Sequence, residues 1–376
     1  MDNKWFQIAN VDEVDTPFLA IFPERVKDNI RALKEIIPDN DRIRPHVKTN
    51  KCKQVIALML EEGITKFKCA TIAEAEMLAL ASAPDVLLAY QPVGPKIKRL
   101  TNLVAGYPGT SFACLVDNEE VAKEIGVSVS GRNLCLRVYL DLNVGMNRTG
   151  IVPENALSLY ERIVSIPGIV MAGLHAYDGH ITNTDLEVRR RECREAYSRV
   201  QTLITELVKR GFPYPAVSGG STPTLQFHAA NPEVECSPGT FIYWDQTYAE
   251  RYGELPFKPA VIVVCRVISK PDRETCCLDL GYKALSSESD VWQRIHFLNV
   301  QDAQIIGQWE EHMLIKPAPG KQLETGPGKP LEIGDVLYGI PYHVGRTCNL
   351  YQSSSVVSNH RITGDWFHFT GRKIST

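Results

Sequence analysis

The sequence predicts an N-terminal (β/α)8 barrel of the TIM type followed by a mostly β C-terminal domain. Three observations lead there. Eight apolar runs of strand length alternate with helical stretches from Arg44 onward, the runs are nearly uniformly apolar, and the texture turns β-rich after about residue 250. Strands buried on both faces read as continuous apolar runs, and in a barrel each is followed by a crossover helix. An open doubly wound sheet gives a similar alternation and stands as the alternative.

In order, the runs are RPHVK (44–48), KFKCA (66–70), VLLAY (86–90), SFACLV (111–116), LCLRVYL (134–140), VMAGLHA (170–176), AVSGG (216–220) and PGTFIYW (238–244). Between them, the segment from Glu24 to Ile37 places Val26, Ile30, Leu33 and Ile37 on one helical face, and Glu187 to Arg210 reads as a long helix charged on its outer side. Beyond residue 250, VIVVCRVISK, CCLDLGYKA, RIHFLNV, QIIGQW, HMLIKP and GDVLYGIPYH are strand-like and separated by turn residues. This places a barrel at 18–250 and a β domain at 251–376, with residues 1–17 joining the latter. The early strand TPFLAIF precedes the first barrel run and has the β domain as its alternative partner.

Composition excludes several classes. The 376 residues carry a formal charge of -3 and are 44% hydrophobic, an ordinary globular balance. No basic tail or Lys/Arg block points to nucleic acid, and no apolar run reaches the length of a membrane span. Ten scattered cysteines without a CxxC pair read as reduced thiols, and the acidic N-terminus lacks the apolar core of a signal peptide, so the expected location is the cytoplasm.

The candidate chemistry gathers at the ends of the barrel runs, where barrel active sites lie. Lys48 ends the first run, in RPHVKTNK; a partly desolvated lysine there has a lowered pKa and becomes a nucleophile. SGGSTPT (218–224) follows the seventh run. Its glycines let backbone amides approach an anion, and Ser221, Thr222 and Thr224 add hydroxyls at a helix start, as a phosphate site requires. Arg148, in LDLNVGMNRTG after the fifth run, keeps its charge and could fix a phenolate or carboxylate. HAYDGH ends the sixth run and offers His175, Tyr177, Asp178 and His180, residue types suited to metal ligation or acid/base work. In the β-rich region, His343 and Cys348 of PYHVGRTCNL are competent ligands for a soft divalent metal.

Taken together, PHVKTNK, GMNRTG, AYDGH, SGGSTPT, CSPGTFIYWD and PYHV…NL, in this order over nearly the whole chain, resemble the D-threonine aldolase and D-serine dehydratase family, fold-type III pyridoxal-phosphate enzymes related to alanine racemase. The resemblance implies pyridoxal 5'-phosphate held as a Schiff base on Lys48, with Arg148 near its ring and Tyr177 in the active site. It places His46 beside the cofactor, the phosphate in the loop Ser218, Gly219, Gly220, Ser221 and Thr222, and Tyr243 and Asp245 in the segment after the eighth run. Lys48, Tyr177 and His180 are the expected catalytic groups. The implied substrate is a D-3-hydroxy amino acid, the implied reaction retro-aldol cleavage to glycine and an aldehyde, and the implied assembly a homodimer. A D-serine or D-3-hydroxyaspartate dehydratase is the alternative lyase; a metal-free racemase, or a pyridoxal-phosphate-binding protein without lyase activity, is the third reading. A divalent metal, zinc or manganese, is implied at His343, and there the chain departs from the family. The residue two positions on is Gly345, which has no side chain to donate, where the family has cysteine or aspartate.

Overall fold

A computed structural model describes residues 4–213, 216–326 and 328–372. The chain divides into two compact units: one formed by Leu33–Gly239 with Gly371–Thr376, the other by Met1–Ala32 with Thr240–Thr370. In this division residues 18–32 and the chain from residue 240 fall in the second unit. The reason is strand β1 (Phe18–Ile21), whose four residues are all buried. It pairs antiparallel with strand 261–269, Phe18 opposite Val264, and parallel with strand 353–358, Ala20 opposite Ser355. Helix α1 (Pro23–Ile36) then carries the chain across the division.

In the first unit, strands β2 (Lys66–Cys69), β3 (Asp85–Leu88), β4 (Ser111–Val116), β5 (Leu136–Asp141), β6 (Ile169–Ala176), β7 (Ala216–Gly219) and β8 (Val234–Cys236) form a parallel sheet in sequence order. The crossovers are α2 (Lys53–Glu61), α3 (Ile72–Leu80), α4 (Pro95–Gly106), α5 (Glu119–Ser130), α6 (Pro153–Val164), α7 (Leu186–Lys209) and the short α8 (Leu225–Ala229). Local signals start these helices. Thr71, Asn118 and Asp185 cap α3, α5 and α7 through their side chains, and proline opens α4 and α6. The strands bury both faces, as their uniform apolarity requires; Leu87, Ala113, Leu115 and Tyr139 pack together on one of them.

The segment 43–46 stands where a first strand would. Single parallel bridges join Ile43 to Cys236 of β8 and His46 to Lys68 of β2, so this segment links the two edges of the sheet. Beside it, Arg44 is 1% exposed and its guanidinium bonds Glu235 at 2.8 Å and Asp85 at 2.6 Å; Lys66 also reaches Glu235 at 2.7 Å, and Arg137 reaches Asp85 at 2.9 Å. The expected eighth strand, PGTFIYW, is not one. Thr240–Ile242 is a single 3-10 turn and Trp244 has φ +48°, while the true last strand is the three-residue Val234–Cys236.

The second unit is a nine-stranded sheet. It is built from β1, β9 (Val261–Ser269), β10 (Cys276–Leu278), β11 (Ile295–Phe297), β12 (Ala303–Gln308), β13 (Met313–Pro317), β16 (Val336–Pro341), β17 (Ser353–Ser358) and β18 (Arg361–Phe367). The pair β14 (Glu324–Gly326) and β15 (Lys329–Pro330) forms a separate two-stranded ribbon. The core gathers Phe6, Phe18, Phe22, Ile262, Val264, Tyr338, Ile340 and Val357, which explains why the N-terminal residues belong here. Helices α9 (Gln246–Arg251) and α10 (Val344–Cys348) are short.

Candidate active site

A cavity of about 680 Å³ opens at the carboxyl ends of β2 to β6, walled by His46, Lys48, Lys68, Asp117, Asp141, Arg148, Thr149, His175 and Tyr177 among others. Parallel strands converge there, so the loops after them present side chains to one space. His46 caps the 3-10 turn Val47–Thr49, its Nδ1 accepting the Lys48 amide at 3.2 Å. That turn points Lys48 into the cavity. Desolvation lowers the Lys48 pKa, the Arg148 charge lowers it further, and Glu74 opposes both. The amine lies 5.8 Å from the centre of the Tyr177 ring, and the Arg148 guanidinium lies 5.1 Å from the same ring. Burial raises the Tyr177 phenol.

Beneath them, Asp141 at the end of β5 and His175 on β6 form a buried pair, Oδ1 to Nδ1 at 2.6 Å. Burial first, and then Lys68, hold the His175 pKa below its ordinary value against the pull of Asp141, which stays ionised. The imidazole is then neutral, donates Nδ1–H to Asp141, and leaves Nε2 with a lone pair. His46 is also held neutral, by burial and by Lys48 and Lys68; since its Nδ1 accepts a backbone amide, its Nε2 carries the proton. Lys68 is 2% exposed and, among the described residues, its Nζ makes no hydrogen bond; burial takes its pKa down to about 7.

The structure thus brings together His46, Lys48, Arg148 and Tyr177 on one cavity. The glycine loop follows β7, whose Ser218 and Gly219 sit in register with His175 and Ala176, but the loop does not wall the cavity itself. Gly220 has φ +77°, a left-handed conformation that favours glycine, and Ser221 and Thr222 are buried. Thr222 Oγ1 accepts the Gly239 amide at 3.2 Å. His180 is exposed and packs over Gly145, and it is not among the residues that wall the cavity.

Three expected residues lie in the other unit. Tyr243 is fully buried. Asp245 caps α9, accepting the amides of Tyr248 at 3.0 Å and Val344 at 3.2 Å, and burial pushes its pKa up to about 7. His343 caps α10 through Nδ1, which accepts the Arg346 amide at 3.1 Å. Val344–Cys348 is a helical turn; Cys348 is 4% exposed while the imidazole of His343 is 46% exposed. Among the described residues, no group of three close His, Cys, Asp or Glu donors includes His343.

Sequence reasoning missed Lys68 and Asp141. A signal for the first existed: a lysine inside an apolar barrel strand, KFKCA, must either reach a partner or serve a site.

Comparison with known proteins agrees with this architecture. The profile of the family "Alanine racemase, N-terminal domain" matches residues 21–247, and that of "Putative serine dehydratase domain" matches residues 260–357. A D-threonine aldolase of Arthrobacter sp. is 27% identical over 365 residues, 94% of this chain and 92% of that protein. A D-threo-3-hydroxyaspartate dehydratase of Delftia sp. (strain HT23) is 25% identical over 282 residues, 73% of each. The crystal structure of D-threonine aldolase from Filomicrobium marinum superposes with a TM-score of 0.87 at 22% identity, covering 99% of both chains. The fold, the arrangement of the cavity and the profile over most of the first unit converge: the chain belongs to the alanine racemase N-terminal domain family.

Proposed function

We propose that the protein is a pyridoxal-phosphate-dependent lyase that cleaves D-3-hydroxy amino acids to glycine and an aldehyde, as a D-threonine aldolase does. What carries the reading is the cavity, where Lys48, of lowered pKa, faces Arg148 and Tyr177, in a chain alike over 94% of its length to an enzyme of that name. The residues present fit the cofactor. Three basic side chains (Lys48, Lys68 and Arg148) line one cavity, and among the described residues the buried Lys68 Nζ makes no hydrogen bond, so the site suits an anionic aldehyde. Lys48 would hold it, Arg148 and His46 would flank it, and the loop 218–222 would take its phosphate.

Once bound, the cofactor supplies an electron sink for the bond broken at the substrate Cα. The protein supplies binding and proton transfer. His175 Nε2, kept as an acceptor by the bond from Nδ1–H to Asp141, is the group fitted to take the hydroxyl proton whose loss drives Cα–Cβ cleavage. Lys48, with its lowered pKa, is fitted to move a proton at Cα. Tyr177 is held under Arg148 and orients what binds beside it.

A dehydratase acting on D-serine or D-3-hydroxyaspartate is the second reading, favoured by the profile match over 260–357. We also propose that the metal site at His343 is degenerate, because Gly345 offers no ligand, and that the protein works as a homodimer in the cytoplasm. Borohydride treatment of the purified protein with its cofactor should fix the label on Lys48; label on another lysine refutes the assignment. A screen of D-amino acids, with and without added manganese or zinc, should release aldehyde and glycine. Release of a 2-oxo acid instead selects the dehydratase, and inversion alone selects a racemase.

A further inference from the structure

Behind the glycine loop, away from the cavity, three buried side chains from three elements meet. Asp178 follows β6, Cys193 lies on α7 and His228 lies on α8; they are 2%, 4% and 6% exposed. Their donor atoms all lie within 4.8 Å of one another. His228 Nε2 is 2.7 Å from Asp178 Oδ2 and 3.4 Å from Cys193 Sγ.

The Nε2–H of His228 pairs with the Asp178 carboxylate, and the Cys193 thiol is only a weak neighbour of the same nitrogen. Among the described residues Asp178 Oδ1, also buried, makes no hydrogen bond of good geometry, with the Ser221 and Thr224 hydroxyls as its neighbours. Buried polar groups are nearly always paired, and a divalent cation answers all three donors at once. The donor set of one nitrogen, one sulfur and one oxygen is that of zinc. Tetrahedral zinc holds such atoms about 3.3 Å (N to O) and about 3.6 Å (N to S) apart, from its usual bond lengths. The His228 to Asp178 contact would open by about half an ångström to reach this spacing, and the His228 to Cys193 contact hardly at all. A pocket of about 450 Å³ opens on Cys193 and His228 and gives both an entry path and a fourth coordination position. Arg190 and Arg194 line it, so the fourth ligand best suited to the mouth is a water or an anion.

We propose that Asp178, Cys193 and His228 form a structural site for a zinc-like divalent cation. The site braces the glycine loop from behind. A Cβ on Gly220 would lie 2.8 Å from His228 Cδ2, so the loop rests on this imidazole. Asp178 is also the next residue after Tyr177, so one ion would tie the cavity wall, the loop and α7 together.

The test is metal binding by the full-length protein, a readout independent of lyase activity and of pyridoxal phosphate. Elemental analysis after zinc titration and dialysis should find one tightly held equivalent. Cobalt in its place should give a thiolate-to-cobalt charge-transfer band. Cys193→Ser should abolish that band and weaken zinc binding at least a hundredfold; Cys348→Ser should leave the band intact, and His343→Ala should leave the equivalent in place. If Cys193→Ser does not fold, the wild-type protein still decides: no charge-transfer band with cobalt, or no zinc retained, overturns the proposal. Zinc retained in full by a folded Cys193→Ser protein overturns it as well.

Discussion

Replacing Lys68 by methionine should stabilise the protein, and the gain should depend on pH. In the unfolded chain the amine titrates near the ordinary lysine value of 10.5; in the fold, burial lowers it to about 7. Below pH 7 both states are protonated, and the native state carries a buried ammonium whose Nζ makes no hydrogen bond among the described residues. Above pH 7 the unfolded chain binds one proton more than the native state, so wild-type stability rises with pH by about 1.4 kcal/mol per unit until the unfolded amine titrates. At about 1.4 kcal/mol per tenfold, the full penalty at pH 6 is on the order of 5 kcal/mol, an upper limit because the barrel interior relaxes around the charge. Methionine has nearly the same length and no charge, so it keeps the packing of β2. Urea unfolding of cofactor-free wild type and Lys68→Met at pH 6, 7, 8 and 9 measures this. The variant should be more stable at pH 6, and its advantage should shrink by roughly 2–3 kcal/mol between pH 7 and pH 9. An advantage that is constant with pH, or a variant less stable at pH 6, refutes the reasoning.

Arg44→Met should cost about 3–5 kcal/mol by leaving the carboxylates of Glu235 and Asp85 short of their shared cation; chemical denaturation reads the loss, and a cost below 1 kcal/mol would show the cluster to be surplus. Gly220→Leu combines a left-handed backbone with contact on the His228 ring, so it should weaken pyridoxal-phosphate affinity on the order of tenfold or more in a spectral titration; unchanged affinity would remove the loop from the cofactor site. Asp245 holds its proton in the fold up to about pH 7 but ionises near 3.8 when unfolded, so its contribution is complete below pH 3.8 and is lost as pH rises through 7. Asp245→Ala should flatten that fall in stability while losing about 1 kcal/mol of helix capping, and an unchanged pH profile would contradict the assignment.

The parts of the fold legible in the sequence were those with long, strong periodicity. The apolar face of α1 and the length of α7 could be read because amphipathic helices repeat their signal over several turns. The last barrel strand could not. Val234–Cys236 is three residues long between Pro232 and Pro238, whereas the aromatic run beyond it is apolar for packing in the other unit. Within the candidate site, Lys48, Arg148 and Tyr177 stood out because each ends a strand or follows one. Lys68 lies within a strand, and Asp141 ends one inside an apolar run; a polar residue in either place has meaning only once its neighbours in space are known. The Asp178, Cys193 and His228 cluster is spread over 50 residues and three elements, and no local spacing announces it.

The bonds of Arg44 to Glu235 also fix an order of events. Arg44 and Glu235 are 191 residues apart, so segment 43–46 and β8 meet only after residue 235 has left the ribosome. Until then Arg44 has no Glu235 to meet, and segment 43–46, which already borders β2, has no neighbour on its other side. Local strand–helix units can assemble during synthesis, but closure must bridge the longest loop in the unit, the slow step expected when contacts are distant in sequence. Truncated chains that stop before residue 234 would expose that open edge, and the nascent protein passes through the same stage each time it is made.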